Sequence, residues 1–171
     1  MVSTRHTPNL ELPEGCSYHM FMSHAWRTGQ AQTHAIVHKM QLFMPGLKVW
    51  LDVDELTDVS NLEDSVSDAA MFVIYYSSGY FRSKNCRREL YAAIKLEKPI
   101  IVIYKGDSKS TMEEMIEECI NYCNDHNSPG SAFILERIFG DRQFEFVTSI
   151  LEQGPIQWLC HRYPARIAIY S

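Results

Sequence analysis

The sequence lacks the features that mark exported or membrane-embedded proteins. No apolar run approaches the roughly 18 to 20 residues that a helix needs to span a bilayer, and residues 1–15 contain no apolar stretch typical of a signal peptide. The five cysteines are odd in number and do not have the spacing of a disulfide framework. Because reduced thiols are typical of the cytosol, we expect a soluble, cytoplasmic protein that does not contact a membrane.

An excess of positive charge is also missing. The 16 lysines and arginines are outnumbered by 21 aspartates and glutamates, which gives a formal net charge of -5. No global field attracts nucleic acid, so we expect no nucleic-acid partner. The 171 residues, 46% of them hydrophobic, suffice for one domain with a core. We expect a flexible leader at 1–16 and a domain at 17–171, excised from a longer protein because the chain ends in an apolar stretch without a helix stop.

Motifs for phosphate and metal binding are absent as well. The sequence contains neither G-x-G-x-x-G nor G-x-x-x-x-G-K-[ST], which mark dinucleotide-binding folds and P-loops. A phospho-receiver domain needs an acidic pair after its first strand, where this chain has Ser23 and His24. His34 and His38 are spaced to share a helix face, but no further ligand at a fitting spacing accompanies them. We therefore expect two exposed histidines and no metal site.

What the sequence does contain is an alternation of strand and helix patterns. The predicted strands are 18–23, 47–52, 70–76 and 99–104. The first predicted helix spans 30–44, and a second, short helix opens with the capping box 60–63 and has Ala69 on its inward face. A third helix is capped by Ser83 or Asn85 and includes Glu97, and a fourth begins at residue 110. Weaker patterns predict an edge strand at 144–147 and a closing helix at 155–170.

This alternation predicts an α/β fold: a flavodoxin-like, doubly wound parallel sheet of about five strands flanked by helices. Ligands of such sheets bind beyond the carboxyl ends of the strands. We therefore expect functional residues in the loops that span 23–31, 52–60, 77–86 and 105–110. The helix from residue 110 has an apolar stripe with two predicted core thiols, Cys119 and Cys123, and an acidic face predicted to be solvated, formed by Glu113, Glu114, Glu117 and Glu118.

Three segments, taken in order, resemble the conserved boxes of TIR (Toll/interleukin-1 receptor) domains. Residues 21–24 (FMSH) resemble the first box, F-[IL]-S-Y, with His24 in place of tyrosine. Residues 49–56 (VWLDVDEL) resemble the second strand and its BB loop, without the glycine that many members carry there. Residues 77–90 (SSGYFRSKNCRREL) resemble S-x-x-Y/F…S-x-W-C-x-x-E-L, with Asn85 in place of tryptophan. The match runs from about 18 to 104 and implies a TIR-like fold.

The resemblance implies one of two functions. Many family members cleave the nicotinamide–ribose bond of NAD+, which is then a substrate and not a bound cofactor, giving nicotinamide and linear or cyclic ADP-ribose in signalling or defence. Others are non-catalytic adaptors that act by homotypic assembly. In the cleaving members the catalytic residue is the glutamate of the C-x-x-E box, which is Glu89 here. The residues by themselves leave an alternative open, a first-turn carboxylate that interacts with the helix dipole.

Further site residues and contacts follow from the same resemblance. The residues expected to line the NAD+ site are Ser23, His24, Trp26, Arg27, Asp52, Ser77, Asn85 and Cys86. Trp26 stacks on a ring of the substrate in this interpretation, and ordinary packing is its alternative. Tyr80 and Phe81 are expected to pack against the sheet. The acidic loop 53–60 is expected to mediate self-association with the basic segment 82–88 of another copy.

Overall fold

A parallel sheet lies at the centre of the part of the chain that the structure describes. The computed structural model describes residues 10–51, 62–104 and 108–139. In these ranges four strands pair in the order β2-β1-β3-β4, all parallel. Their bounds are Tyr18–His24 (β1), Val49–Leu51 (β2), Ala69–Tyr76 (β3) and Ile100–Tyr104 (β4). The predicted parallel α/β fold is confirmed, while the predicted strand 144–147 and helix 155–170 lie outside the described residues.

Helices cover both faces of this sheet. In the described ranges they are Trp26–Phe43 (α1), Leu62–Ser67 (α2), Lys84–Lys95 (α3), Ser108–Tyr122 (α4) and Ser131–Phe139 (α5). α1 packs on one face, and the other four helices contribute side chains to the cluster on the opposite face. This two-sided cover is the doubly wound arrangement. Of the helices in these ranges, none combines the length and the apolarity that crossing a bilayer requires.

The pleat of the central strands divides the core into two clusters. Along β1, Phe21 faces the cluster under α2 to α5, whereas Met20 and Met22 face α1. The Phe21 ring stacks on Trp50 from β2, with ring centroids 4.3 Å apart, and on Phe72 from β3, at 5.4 Å. Because β3 is buried on both faces, its sequence is almost wholly apolar, as expected of a central parallel strand.

Three predicted helix boundaries are wrong. α4 begins at Ser108, two residues before the predicted start, and the other two have a clear local reason. α1 begins at Trp26, four residues before the predicted start, because its N-cap Ala25 makes no side-chain capping bond and so leaves no signal in the sequence. α3 ends at Lys95, so Glu97 lies beyond it and adopts a left-handed φ of 53°. Of the two proposed caps of α3, Ser83 is the actual one, and its hydroxyl accepts the Cys86 N–H at 3.3 Å.

Other expectations are corrected by tertiary packing. Ala69 opens β3 and does not belong to α2. The helix α5 had no predicted counterpart. Cys119 and Cys123 are buried core thiols, as predicted. Glu118 is only 3% exposed, so its assignment to a solvated face is wrong. It is buried because its carboxylate accepts a backbone N–H from Gly79 at 2.7 Å.

The stacked Phe21 predicts where the fold is most sensitive to truncation. Phe21→Ala removes a fully buried ring between two aromatic neighbours, so we expect the free energy of unfolding to fall by about 3–5 kcal/mol. Phe133→Ala is the matched control, because Phe133 is 46% exposed and its loss should change stability by about 0.5 kcal/mol or less. Urea denaturation measures both. Equal losses in the two variants would contradict the packing described above.

Candidate active site

Three polar side chains meet beside the carboxyl ends of β1 and β3. These strands are neighbours at the centre of the sheet, where the strand order reverses, and such a switch point is the usual ligand crevice of a doubly wound fold. Ser23 comes from the end of β1, Tyr80 from the loop after β3, and Glu89 from α3. All three are buried, with Glu89 5% exposed. The topology thus brings together residues that are up to 66 positions apart in the chain.

Two hydrogen bonds link these three side chains, and the order of donor and acceptor is the same in both. The Ser23 hydroxyl donates to Glu89 Oε2 at 2.5 Å, and the Tyr80 hydroxyl lies 2.7 Å from Ser23 Oγ. Serine has one hydroxyl proton, which goes to the carboxylate, so Tyr80 is the donor in the second bond. Burial raises the pKa of Tyr80 well above its ordinary value, which keeps that proton in place. The chain of donors therefore runs from Tyr80 through Ser23 to Glu89.

The position of Glu89 in α3 argues against the helix-dipole interpretation of this residue. Glu89 is the sixth residue of α3, in its second turn, and not in the first turn as expected. The helix dipole acts mainly within the first turn. A buried carboxylate with a side-chain donor is also unlike a solvated capping residue. The dipole interaction therefore does not account for Glu89.

Cys86 borders this cluster as a neutral thiol. Burial, followed by the nearby Glu89 carboxylate, raises its pKa to about 12. Its Sγ donates to the His24 carbonyl at 3.4 Å. A thiol that keeps its proton at neutral pH is a poor nucleophile. Cys86 thus joins α3 to the end of β1 and offers no covalent chemistry of its own.

His24 follows Ser23 in the sequence but lies on the other face of the sheet. The strand pleat sends it toward α1, where its Cβ is 3.4 Å from the position that a Cβ on Gly29 would occupy. Its Nε2 is buried without a hydrogen-bond partner, and its Nδ1 is 3.5 Å from the Met22 carbonyl oxygen. Burial lowers the pKa of His24, so the neutral ring is favoured.

The remaining predicted residues of the first loop belong to α1. Trp26 is the first residue of that helix and half-buried, and Arg27 is exposed on its first turn. The loop predicted over 23–31 is therefore largely helical. None of the described contacts joins either side chain to Glu89.

Ser77 forms a second polar contact at the same sheet edge, with a residue that the sequence did not reveal. The Thr28 hydroxyl donates to the Ser78 carbonyl at 2.9 Å and lies 2.7 Å from Ser77 Oγ, so Ser77 donates to Thr28. Gly29 allows this approach of α1, since a Cβ there would lie 3.1 Å from Ser77 Oγ and from the Tyr75 ring. Thr28 was missed because the predicted helix began two residues after it.

The basic residues at the start of α3 are largely engaged within the chain. Arg87 donates to the Phe81 carbonyl at 2.5 Å. Arg88 forms a bidentate pair with Glu63 of α2, with contacts of 2.8 and 3.0 Å. Arg82 lies 3.4 Å from Glu118. Of the basic side chains in segment 82–88, those of Arg87 and Arg88 are thus held within the chain, while those of Arg82 and Lys84 are exposed.

Asn85 and Asp52 are the two remaining predicted site residues. Asn85, in the first turn of α3, is half-buried. Asp52 lies outside the described residues, as does the loop 53–60. In the ranges that the structure describes, no group of three or more His, Cys, Asp and Glu side chains is arranged to hold a metal ion.

Comparison with known proteins places this arrangement in a family. The family model described as "TIR domain" matches residues 20–131, about two thirds of the chain. The protein belongs to the TIR domain family. The matched span includes all three segments that resemble TIR boxes, together with Ser23, Tyr80 and Glu89. No curated protein matches the sequence.

Twenty-four chains of solved structures match this chain. One is a metazoan TIR-STING receptor from C. gigas in complex with 2',3'-cGAMP, with 9% sequence identity and a TM-score of 0.48. The alignment covers 77% of this chain and 42% of the receptor chain, so this chain matches less than half the length of the receptor.

The buried histidine predicts how the stability of the TIR domain depends on pH. Because the pKa of His24 is lowered in the folded state, its stabilising effect is complete above the ordinary value near pH 6.5 and is lost as the pH falls below it. We expect the free energy of unfolding to be lower at about pH 5.5 than at about pH 7.5, and His24→Gln to reduce that difference.

Two features refine this pH experiment. His19 also has a pKa lowered by burial, so some pH dependence should remain in His24→Gln. His38→Gln is the matched control, because His38 is exposed on α1 and its replacement should leave the difference unchanged. If His24→Gln has the same pH dependence as the original protein, burial of this ring does not control its protonation.

Proposed function

We propose that this TIR domain cleaves the nicotinamide–ribose bond of NAD+ and that Glu89 is its catalytic residue. The observation that carries the proposal is the buried Glu89 carboxylate, which accepts the Ser23 hydroxyl at the switch point of the sheet. The C-x-x-E spacing of Cys86 and Glu89 matches the box in which NAD+-cleaving family members carry their glutamate.

One carboxylate is sufficient for this reaction. Nicotinamide is bound to the ribose as a cationic pyridinium and leaves as a neutral molecule, so no general acid has to protonate the leaving group. The energetic difficulty is the positive charge that develops on the ribose as it becomes oxocarbenium-like. A carboxylate that binds the ribose hydroxyls stabilises this charge more in the transition state than in the ground state.

The surroundings of Glu89 suit that role. Charges attract more strongly where water is excluded, and the carboxylate is almost completely buried. The Tyr80–Ser23 donors hold one carboxylate oxygen in place, so little reorganisation is needed during the reaction. Because Glu89 is so well covered, the ribose reaches it only when the covering groups separate. Catalysis by this domain should therefore depend on a change of conformation or on assembly.

The Glu89 carboxylate is tested by a conservative substitution. Glu89→Gln keeps the size of the side chain and removes its charge, so we expect kcat for NAD+ cleavage to fall on the order of 100-fold or more. Glu117→Gln is the control, because Glu117 is an exposed glutamate on α4 and its replacement should leave kcat unchanged. Nicotinamide release at high protein concentration, followed by chromatography, gives the rate and separates linear from cyclic products.

The outcomes separate the two functions expected of the family. Cleavage by the original protein and by Glu117→Gln, but not by Glu89→Gln, supports the enzyme. Full cleavage by Glu89→Gln would mean that another residue stabilises the ribose. If the original protein is inactive even under crowding, the non-catalytic adaptor that acts by homotypic assembly is the better description.

We also propose that the TIR domain self-associates through the acidic segment 53–60. The exposed side chains of Arg82 and Lys84 offer positive charge for this contact. Charge pairs between copies are screened within about 10 Å at 0.1 M salt, so association should weaken as salt is raised. Sedimentation velocity should show less association for Asp54→Lys than for the original protein at low salt. A monomer at every salt concentration would exclude this contact.

A further inference from the structure

The loop between β3 and α3 is held by contacts on both sides of Tyr80. Before it, the Gly79 N–H donates to Glu118 Oε1 of α4 at 2.7 Å. After it, Arg87 of α3 donates to the Phe81 carbonyl at 2.5 Å. Gly79 has a φ of 92°, a left-handed turn that glycine adopts without strain. The path of the backbone through Tyr80 is thus set by α4 on one side and by α3 on the other.

The Glu118 carboxylate that makes this contact is buried, and its burial needs a physical explanation. A carboxylate in the core costs free energy unless it receives hydrogen bonds. Its partner in the ion pair, Arg82, has a side chain that is 62% exposed, against 4% for that of Glu118, at a distance of 3.4 Å. Exposed charges contribute little to stability, so the Gly79 N–H is the more important partner. Of these two contacts, the hydrogen bond to the loop is therefore the stronger one, and Glu118 also lies close enough to the Tyr76 hydroxyl to raise the pKa of that group.

The loop in turn sets the position of the Tyr80 hydroxyl. The Tyr80 side chain is fully buried and packs edge-on against Phe81, with ring centroids 5.2 Å apart. A ring confined in this way moves with its backbone. A shift of the loop would therefore carry the hydroxyl away from Ser23 Oγ, which is 2.7 Å from it, and Ser23 is the donor to Glu89.

We infer that Glu118 is a positioning residue for the Glu89 site: by binding the Gly79 N–H, it fixes the loop that directs the Tyr80 hydroxyl at Ser23. This inference rests on the proposed NAD+ cleavage for its effect on rate, and on the structure alone for its effect on the loop. Glu118 does not touch the reacting atoms. Its contribution passes through Gly79, Tyr80 and Ser23.

Four single variants and one double variant separate this role from simple loss of a buried residue. Glu118→Leu has a similar volume but no acceptor for the Gly79 N–H. Glu118→Gln keeps an oxygen acceptor and loses the charge. Arg82→Ala removes the ion pair and leaves the Gly79 contact in place. Tyr80→Phe removes the hydroxyl that Glu118 is inferred to position, and it is combined with Glu118→Leu in a double variant.

NAD+ cleavage provides the first set of results. We expect Glu118→Leu to lower kcat roughly 10- to 100-fold with little change in KM, as for a catalytic group misplaced by about 1 Å. Glu118→Gln should retain most of the activity. Arg82→Ala is the control for the amide exchange and not for kcat, because Arg82 also belongs to the proposed contact between copies. The double variant should be no slower than the slower of its two single variants, because both act through the same hydroxyl. Losses that multiply, or a Glu118→Gln as slow as Glu118→Leu, would overturn the inference.

Exchange of the Gly79 amide hydrogen, followed by NMR, does not depend on cleavage. Loss of the charged acceptor should speed this exchange roughly tenfold or more in Glu118→Leu, with a shift of the Tyr80 ring resonances, and not in Arg82→Ala. Unchanged exchange or unchanged ring resonances in Glu118→Leu would overturn the inference. If the original protein does not cleave NAD+ but these NMR changes occur, the proposed function fails while the positioning of Tyr80 by Glu118 stands.

Discussion

The parallel pairing of β1 with β3 is the constraint on which the rest of the structure depends. Six residue pairs join these strands, from Tyr18 with Ala69 to His24 with Tyr75. The pairing brings the ends of both strands to one edge, so Ser23 meets the loop that follows β3. It also sets the pleat, which turns Ser23 toward α3 and His24 toward α1. A slip of one residue would exchange these two side chains and remove the donor of Glu89.

Two buried glutamates are held at this edge, and each receives a hydrogen bond from elsewhere in the chain. Glu89 accepts a hydroxyl from β1, and Glu118 accepts a backbone N–H from the β3–α3 loop. A carboxylate that loses such a donor in the core is strongly unfavourable. The cluster therefore holds together as a unit, with the loop 77–83 lying between α3 and α4. Both glutamates are almost completely buried, so in the proposed function a ligand reaches Glu89 only after the covering groups separate.

Much of the fold was accessible from the pattern of the sequence. The strands were predicted to within about two residues at each end, because buried parallel strands are recognisable as short apolar runs between turn residues. Helix starts were harder. α1 begins at Trp26 without a side-chain cap, and four residues of helix were taken for loop. That error placed Trp26 and Arg27 in a ligand loop and left Thr28 unnoticed. α3 was located well because Ser83 provides a real cap.

The sequence by itself determined the fold class, the family and Glu89 as the candidate catalytic residue, because local periodicity and box spacing are readable along one chain. Only the tertiary structure decided which polar residues share a site. The tertiary structure brings Ser23, Tyr80 and Glu89 together, and the strand pleat places His24 on the other face of the sheet. It also buries Glu118. In the sequence, Glu118 follows Met115 by three residues, which already placed Glu118 near the apolar stripe of α4. The physical reason is that a charged residue is buried only when a partner is present, and these partners lie 39 and 66 positions away in the chain.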